Sequence, residues 1–305
     1  MPKKYVAAMS LPLFSLTAGC ADADPAADAP LVVTSFSVLE DITAQIGGEH
    51  IDVQSITPVG AEVHEYDPTP SDVAAATEAD LFIANGLGLE EWFEQFVAHG
   101  EAAVHEVSDG VETLPVTAIE GHPDDAGDPD SMPTDPHAWL SPTQAQVYVE
   151  NIEAALSETY PEHAEDFAEN AATYREQIEA IAADATSRAG EISEEVFIVS
   201  CEGAFSYLAA DLGLTEHYLW PLNAEDEGSP RQVEAQIEFV TEHEVPVIFC
   251  ESTVPPGPQE QVAEATEAEL GETLYVDSLS EADGPVPTYL DLLEHNIDAV
   301  LSVHE

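Results

Sequence analysis

An alternation of short apolar segments with amphipathic ones dominates the sequence and limits its fold. Strand, helix and strand patterns follow one another in "PLVVTSFSVLEDITAQIGGEHIDVQSITPVG", and the alternation resumes from "VFIVS" to "TYLDLLEHNIDAVLSV". Such alternation is typical of βαβ units and a parallel sheet. Between the two runs, about 30 residues from "PEHAEDF" onward have an unbroken helical pattern, which would form a helix of roughly 45 Å. We therefore predict an α/β fold with two domains, each a mostly parallel sheet flanked by helices, joined by one long rigid helix.

The 305 residues are enough for two domains of ordinary size, each with its own core. We place the N-terminal α/β domain at residues 31–160, the linking helix at 161–190 and the C-terminal α/β domain at 191–305. One helix start is marked clearly, because Ser141 and Pro142 stand where an N-cap and a first helical residue belong. In such sheets ligands bind beyond the carboxyl ends of the strands, so a functional site is expected in the loops there.

Residues 1–20 have the layout of a signal peptide: two lysines, an apolar run of about 14 residues and small residues that end at Cys20. The ending "TAGC" is close to a lipobox, although Thr17 stands where leucine is usual. We predict that Cys20 carries a lipid that anchors the protein to the cytoplasmic membrane, with a plain secretory signal as the alternative. Residues 21–30 read as a tether. The sequence lacks the twin arginine that usually marks the Tat export route, and no later segment is expected to span a bilayer.

The charge balance is extreme, with 62 acidic residues against 5 basic ones. No lysine and only three arginines follow residue 20, so that part of the chain carries 3 − 62 = −59. Nucleic acid is excluded as a partner, because phosphate binding needs clustered Lys and Arg. The acids are spread through apolar-periodic segments rather than grouped in blocks. This distribution indicates adaptation to concentrated salt, where the Debye length falls to about 3 Å and self-repulsion is screened. We predict an extreme halophile as the source.

Two further cysteines, Cys201 and Cys250, each stand at the end of a predicted strand. Outside the cell a disulfide is permitted, and neighbouring strands about 4.8 Å apart would bring the pair within bridging range. Side-by-side parallel strands give poor geometry for the bond. Two buried free thiols therefore fit the sequence at least as well.

Two histidines and two acids lie in loops that follow predicted strands. His64 stands in "AEVHEYDPTPSDV", where the prolines exclude a regular helix or a central strand, and His137 stands in the proline-stiffened "TDPHAWLSP". Glu202 and Asp277 directly follow strand patterns. Two carboxylates neutralise a divalent cation, and imidazole nitrogens suit transition metals better than Mg²⁺ or Ca²⁺. With 11 histidines and 62 acids, such a set also arises by chance, and turn or helix capping is the alternative role.

Seven segments in order resemble one protein family: "VHEYDPTPSD", "DPHAWLSP", "CEGAFSYLAADLGL", "LWPLNAEDEGSPRQV", "FCESTV", "YVDSLS" and "TYLDLLEHNIDAVL". The family is the metal-ion substrate-binding lipoproteins of ABC importers, the cluster A-I (cluster 9) group that takes up manganese, zinc or iron. The resemblance runs from about residue 31 to the C-terminus. It implies His64, His137, Glu202 and Asp277 as metal ligands in a cleft between two α/β domains linked by a rigid helix. It also implies an ABC permease and its ATPase as partners.

The third ligand position bears on the metal. Members that resemble zinc carriers commonly have histidine there and a long His-rich loop before the second ligand, whereas this chain has Glu202 and only His122 in the loop 121–136. The resemblance therefore favours Mn²⁺, with Zn²⁺ next and Fe²⁺ third. The preference for Mn²⁺ is limited by intrinsic affinity, because in the Irving–Williams order Zn²⁺ binds most such sites more tightly than Mn²⁺ does.

The function expected from the sequence is capture and delivery of a divalent metal by a monomeric, extracytoplasmic protein that is not an enzyme. A metal-dependent hydrolase with the same ligand set is the alternative, although the chain has neither a G-x-S-x-G nor an H-E-x-x-H motif. A surface adhesin is a third interpretation, which apolar exposed patches would support. Asp135 and Glu251 are expected chiefly to serve the backbone, with a role in orienting His137 or bracing the cleft as the alternative. The three tryptophans are assigned to packing, namely Trp92, Trp139 and Trp220.

Overall fold

The computed structural model describes Met1 and residues 29–90, 92–93, 102–117, 133–222 and 228–304. The predicted signal peptide with Cys20, the tether up to residue 28, most of the loop 121–136 and residues 223–227 lie outside the described residues. The amphipathic pattern of "LGLEEWFEQFVAHG" predicts a helix over residues 87–100, and most of it also lies outside them. Among the described helices, none has both the length and the apolar content that a bilayer crossing requires.

Four parallel strands form the sheet of the first half. In spatial order they are β2 (Asp52–Thr57), β1 (Leu31–Phe36), β3 (Leu81–Ala84) and β4 (Ala103–Glu106). The two central strands are almost wholly buried, which explains why they read as continuous apolar runs rather than alternating ones. Strand β4 is missing from the sequence-based assignment, since "AVHE" is short and largely exposed at the edge of the sheet.

Within the described part of the first half, three helices accompany this sheet: α1 (Ser37–Gly47), α2 (Pro70–Glu78) and α3 (Pro142–Thr159). Helix α3 begins as predicted, with the Ser141 side chain accepting a hydrogen bond from the backbone N of Gln144. Helix α2 begins with a capping box in which Thr69 and Asp72 each satisfy a backbone N–H of the other. Both helix starts are therefore encoded locally.

The long helix α4 spans Ala164–Glu191 and follows a 3₁₀ turn at Pro161–His163. Its 28 residues correspond to about 42 Å. One face is buried, and it packs on α1 and α3 of the first half and on elements of the second half. The main apolar core is continuous from Val32 in the first sheet to Leu293 near the C-terminus. The helix thus forms a shared inner wall, whereas the boundaries assigned to the two domains stay a prediction.

The second half repeats the alternation with shorter strands. Its elements are β5 (Phe197–Glu202), α5 (Ser206–Leu212), β6 (Thr215–Trp220), α6 (Pro230–Glu242), β7 (Val247–Ile248), α7 (Gly257–Ala265), β8 (Glu269–Leu270) and α8 (Tyr289–Leu301). Strands β5 and β6 pair in parallel, as do β7 and β8. The backbone N of Phe249 donates to the carbonyl of Val199 at 2.7 Å, which places the two pairs side by side. The predicted α/β class with parallel sheets flanked by helices is confirmed.

The residue pattern predicts a helix through "PGPQEQVAEATEAELG" and a strand at "TLYV", and both local predictions are wrong. The helix expected through "PGPQEQVAEATEAELG" ends at Ala265, and its last residues form β8 instead. The segment "TLYV" forms only an isolated bridge, between Leu274 and Glu251. In both places long-range backbone pairing decides the conformation, and local propensity is the weaker influence.

Cys201 and Cys250 form a disulfide with a Cα–Cα distance of 5.1 Å. The alternative of two free thiols is therefore wrong. The ends of β5 and of the strand segment after β7 lie beside each other, and both side chains join the same small apolar cluster. Sequence spacing could not show that the two sulfur atoms point to the same face.

Candidate metal centre

A short turn after β2 positions His64. The carboxylate of Glu62 accepts hydrogen bonds from the backbone N of His64 (2.8 Å) and of Glu65 (3.1 Å). The indole Nε1 of Trp92 donates to the carbonyl of Val63 at 2.9 Å. The turn is therefore held on both sides of the histidine, and the prolines that follow lead into the capped start of α2.

A buried acid orients His137. The Oδ1 atom of Asp135 lies 2.7 Å from Nδ1 of His137 and accepts the backbone N–H of the same residue at 2.9 Å. A carboxylate at Nδ1 favours the tautomer whose Nε2 lone pair faces the cleft. The loop is itself anchored, because Tyr207 donates its hydroxyl to the carbonyl of Asp135 and Asn85 donates its side-chain amide to the carbonyl of Pro136.

The two acids come from the second half of the chain. Glu202 is the last residue of β5, and Gly203 after it must be glycine, because a Cβ there would lie 2.7 Å from the ring of Tyr218 and 2.9 Å from the carbonyl of Pro221. Asp277 accepts a hydrogen bond of 3.4 Å from Thr253. Both carboxylates are thus presented at the carboxyl-end edge of the second sheet.

The structure brings all four predicted side chains together. One ligand atom from each of His64, His137, Glu202 and Asp277 lies within 4.8 Å of every other. His64 Nε2 is 3.1 Å from His137 Nε2, 3.2 Å from Glu202 Oε1 and 3.9 Å from Asp277 Oδ1. His137 Nε2 is 3.7 Å from Glu202 Oε1 and 3.8 Å from Asp277 Oδ1. Two atoms that are each ~2.1 Å from one tetrahedral ion are about 3.4 Å apart, so these separations fit a single cation.

The centre is nearly closed to solvent. His137, Glu202 and Asp277 are at most 1% exposed, whereas the side chain of His64 is 10% exposed. The imidazole of His64 therefore forms the solvent-facing side of the centre. A buried set of two carboxylates and two imidazoles requires a compensating positive charge.

The two imidazoles differ sharply in their affinity for protons. Burial acts to lower the pKa of His64, but the carboxylates of Glu202 and Asp277 outweigh it and raise the pKa to about 10. Burial lowers the pKa of His137 to about 3, against the opposing effect of Glu202. Burial and the charge of Glu202 raise the pKa of Asp277 well above its usual range. At neutral pH the centre thus holds a proton on His64 and a neutral His137 that is ready to bind a metal.

Trp139 carries more than the packing role assigned from sequence, and Glu251 serves the backbone in a way that also braces a strand end. Trp139, fully buried, donates its Nε1 to the carbonyl of Val276 at 3.1 Å and accepts a bond from Tyr289 on its own carbonyl. It therefore ties the His137 loop to the Asp277 loop. Glu251 accepts the backbone N–H of Cys201 at 3.2 Å and so braces the end of the strand that carries Glu202. An aromatic or acidic residue adjacent to a ligand loop was the only sequence signal for these roles.

Comparison with known proteins places the chain among metal-binding proteins. The family model described as "ZnuA: Zinc-uptake complex component A periplasmic" matches residues 32–303. The chain is 44% identical over 273 residues to the "Iron-binding protein YfeA" of Yersinia pestis, covering 88% of this chain and 84% of that one. It is 34% identical over 273 residues to the "Manganese-binding lipoprotein MntA" of Halalkalibacterium halodurans, covering 89% and 87%.

A solved structure gives the same result for the fold. The manganese-bound periplasmic metal-binding protein from Candidatus Liberibacter asiaticus superposes with a TM-score of 0.81 at 34% identity, over 90% of this chain and 100% of that chain. The agreement extends over both halves and the long helix between them. The chain therefore belongs to the ZnuA family of metal-binding substrate-binding proteins of ABC importers.

Proposed function

We propose that this protein captures a divalent transition metal between its two halves, with His64, His137, Glu202 and Asp277 as the ligands. The observation that carries the proposal is the convergence of these four side chains, from four separate loops, to within 4.8 Å of one another. The captured metal is the cargo of an ABC permease and its ATPase. Docking on the permease separates the two halves, and because each half supplies two ligands, separation breaks the ligand set.

We favour Mn²⁺ as the cargo, with Zn²⁺ next and Fe²⁺ third. The ligand set has only two nitrogens, and either carboxylate can bind through a second oxygen and raise the coordination number above four. Two of the relatives are named for manganese and iron, which supports a site of this kind. The family description names zinc, which keeps Zn²⁺ in the comparison.

A carrier is preferred to a metal-dependent hydrolase. The relatives are named as binding proteins, and three of the four ligands have at most 1% exposure, which leaves little room for a substrate beside the ion. His64 alone reaches solvent, so the metal enters past this side chain and displaces its proton. We assign the protein to the outer side of the cytoplasmic membrane of an extreme halophile, as a monomer anchored through Cys20.

Replacement of His64 tests the proposal. His64→Ala is expected to abolish tight Mn²⁺ and Zn²⁺ binding at the cleft, measured by calorimetry in about 2 M KCl, because one of four ligands is lost and the cleft opens to water. Weak Mg²⁺ binding to the acidic surface is expected to stay nearly unchanged, since Mg²⁺ prefers oxygen ligands.

His243→Ala provides the matched control. His243 is exposed just after α6 and lies at the opposite edge of the second half from the carboxyl ends of its strands. This variant is expected to bind Mn²⁺ as the unaltered protein does. Tight Mn²⁺ binding at the cleft that survives in His64→Ala would refute the proposed ligand set. Elemental analysis of protein purified from its native host without added metal would identify the cargo.

A further inference from the structure

A second group of metal-ligating side chains lies outside the cleft. His50 closes the 3₁₀ turn between α1 and β2, His163 closes the turn before α4, and Asp166 stands in the first turn of α4. One ligand atom from each residue lies within 4.8 Å of the other two. His50 Nε2 is 3.0 Å from Asp166 Oδ2. Two separate stretches of the chain therefore converge here, the turn after α1 and the start of α4.

This group is remote from the cleft. His50 precedes the first residue of β2, whereas His64 follows its last. A strand of six residues at about 3.3 Å per residue separates the two ends by roughly 20 Å. The two groups share no residue, so replacement of a ligand in one leaves the ligand set of the other intact.

The two imidazoles are held against each other and against an aromatic ring. The rings of His50 and His163 stack with centroids 4.0 Å apart and planes at 18°. Phe167 presents its ring to both, at 5.9 Å from His50 and 6.1 Å from His163. The backbone beneath is tied down by Asn170, whose side chain donates to the carbonyl of Ile46 at 3.0 Å. Packing thus holds the two histidines, and Asp166 is held by its contact with His50; the side chains of His50 and Asp166 are 22% and 59% exposed.

We propose that His50, His163 and Asp166 form a second binding site, which takes one Zn²⁺ or a similar borderline transition metal from solvent. Two imidazoles and one carboxylate are a ligand set that zinc accepts, with a fourth position left for water. Both rings must turn about χ2 from the stacked arrangement to direct their nitrogens at one ion. Histidine χ2 has a broad distribution of allowed angles, so the rotation costs little energy.

The bound metal joins the end of α1 to the start of the long helix. A ligand that binds only the folded state raises the stability of that state, so this site links metal supply to the stability of the junction. The inference goes beyond cargo binding and does not depend on it.

The test uses the full chain and Zn²⁺, with calorimetry in about 2 M KCl and excess Mg²⁺ to saturate weak acidic sites. We expect two equivalents of Zn²⁺ for the unaltered protein and one for His64→Ala. His50→Phe keeps an aromatic ring in the stack but has no ligand nitrogen. In the His64→Ala background it is expected to weaken the remaining equivalent by about 100-fold, and Asp166→Asn by at least about tenfold.

Thermal unfolding provides the second measurement. In the His64→Ala background Zn²⁺ should raise the unfolding midpoint, and His50→Phe should remove that rise without lowering the midpoint of the metal-free protein. His243→Ala, placed in the same background, should leave both the rise and the binding intact. The midpoint of the metal-free protein reports on packing, and the rise caused by Zn²⁺ reports on the ligand, so the two measurements distinguish loss of a ligand from loss of packing.

Two outcomes would overturn the second site: one equivalent of Zn²⁺ in the unaltered protein, or undiminished binding in His50→Phe. A third outcome is informative about the cleft alone. If His64→Ala still binds two equivalents but His50→Phe removes one of them, the second site stands and the cleft assignment fails.

Discussion

At the scale of single residues, the centre combines two histidines in opposite protonation states. His137 is fully buried and bonded to Asp135, and burial lowers its pKa to about 3. His64 faces Glu202 and Asp277, whose carboxylates overcome the effect of burial and raise its pKa to about 10. As the proposed ligands, the first imidazole would bind the metal without losing a proton, and the second would exchange a proton for the metal.

This difference predicts a pH dependence of metal affinity. Between pH 6 and 8 the metal-free centre holds a proton on His64, because these values lie below a pKa of about 10. Metal binding must release that proton, so affinity should rise as pH rises, by about tenfold per pH unit for each proton displaced. His137 should release none, since its pKa of about 3 leaves it neutral throughout.

Calorimetry in two buffers with different ionisation enthalpies measures the number of protons released. At least one proton per Mn²⁺ is expected. Affinity that is flat between pH 6 and 8 would contradict the assignment of a protonated His64.

Asp135 offers a second test at this scale. Its removal in Asp135→Ala should weaken metal binding by about 10- to 100-fold, because His137 loses the acceptor that fixes its tautomer and orientation. Asp135→Asn retains an acceptor oxygen and should lose less. Equal losses in both variants would indicate that charge, rather than orientation, is the contribution of Asp135. Circular dichroism would check that both variants fold.

At the scale of secondary-structure elements, each ligand stands at a strand end or in a loop that is held by hydrogen bonds. The β2 loop is held by Glu62 and Trp92, and the His137 loop by Asn85 and Tyr207. The end of β5 is held by a disulfide and by the side chain of Glu251. A carrier needs this support, because a buried metal site is specific only when its ligands stay in place.

The disulfide should contribute to stability. It closes a loop across a separation of 49 residues, and Cys201→Ala together with Cys250→Ala should lower the free energy of unfolding by about 2–4 kcal/mol. Denaturant unfolding of the metal-free protein measures the change, and reduction of the unaltered protein should reproduce it. An unchanged midpoint in both experiments would show that the covalent link adds nothing to stability.

At the scale of the whole molecule, the acidic residues and the shared apolar core have opposite effects on the stability of the folded state. The formal net charge is −57, and few cations offset it: Arg175 pairs with Glu150 at 2.7 Å and Arg188 with Asp298 at 2.5 Å. Self-repulsion of this size opposes the compact state at low ionic strength. A core that runs continuously through both halves holds the molecule together.

Added salt should therefore stabilise the protein. Between 0.1 and 2 M KCl we expect the unfolding midpoint to rise by roughly 10 °C, which corresponds to about 6 kcal/mol for a protein of this size. Sucrose at matched osmolality has no charge and should give a much smaller rise. Equal effects of KCl and sucrose would show that exclusion from the surface, rather than screening, is responsible.

The sequence by itself determined the α/β class and the long helix, because these depend on local periodicity and caps. The four candidate ligands were also chosen from the sequence, but the choice rested on the resemblance to a family, since the pattern alone could arise by chance. The order of strands and helices along the chain is enough to assign the fold class. In a parallel sheet, the loops that follow the strands all lie at the same edge, whatever their positions in the sequence. Glu202 and Asp277 could be placed at that edge without knowledge of their neighbours.

Tertiary structure alone decided how distant groups meet. It paired Cys201 with Cys250, changed the expected end of a helix into β8, and set Asp135 against His137. It also brought His50, at the end of α1, to within 3.0 Å of Asp166, more than 100 residues later in the chain. The physical reason is that side-chain directions and long-range backbone pairing depend on how the elements pack against one another. Packing involves residues that are distant in the chain, so no local stretch of the sequence determines it.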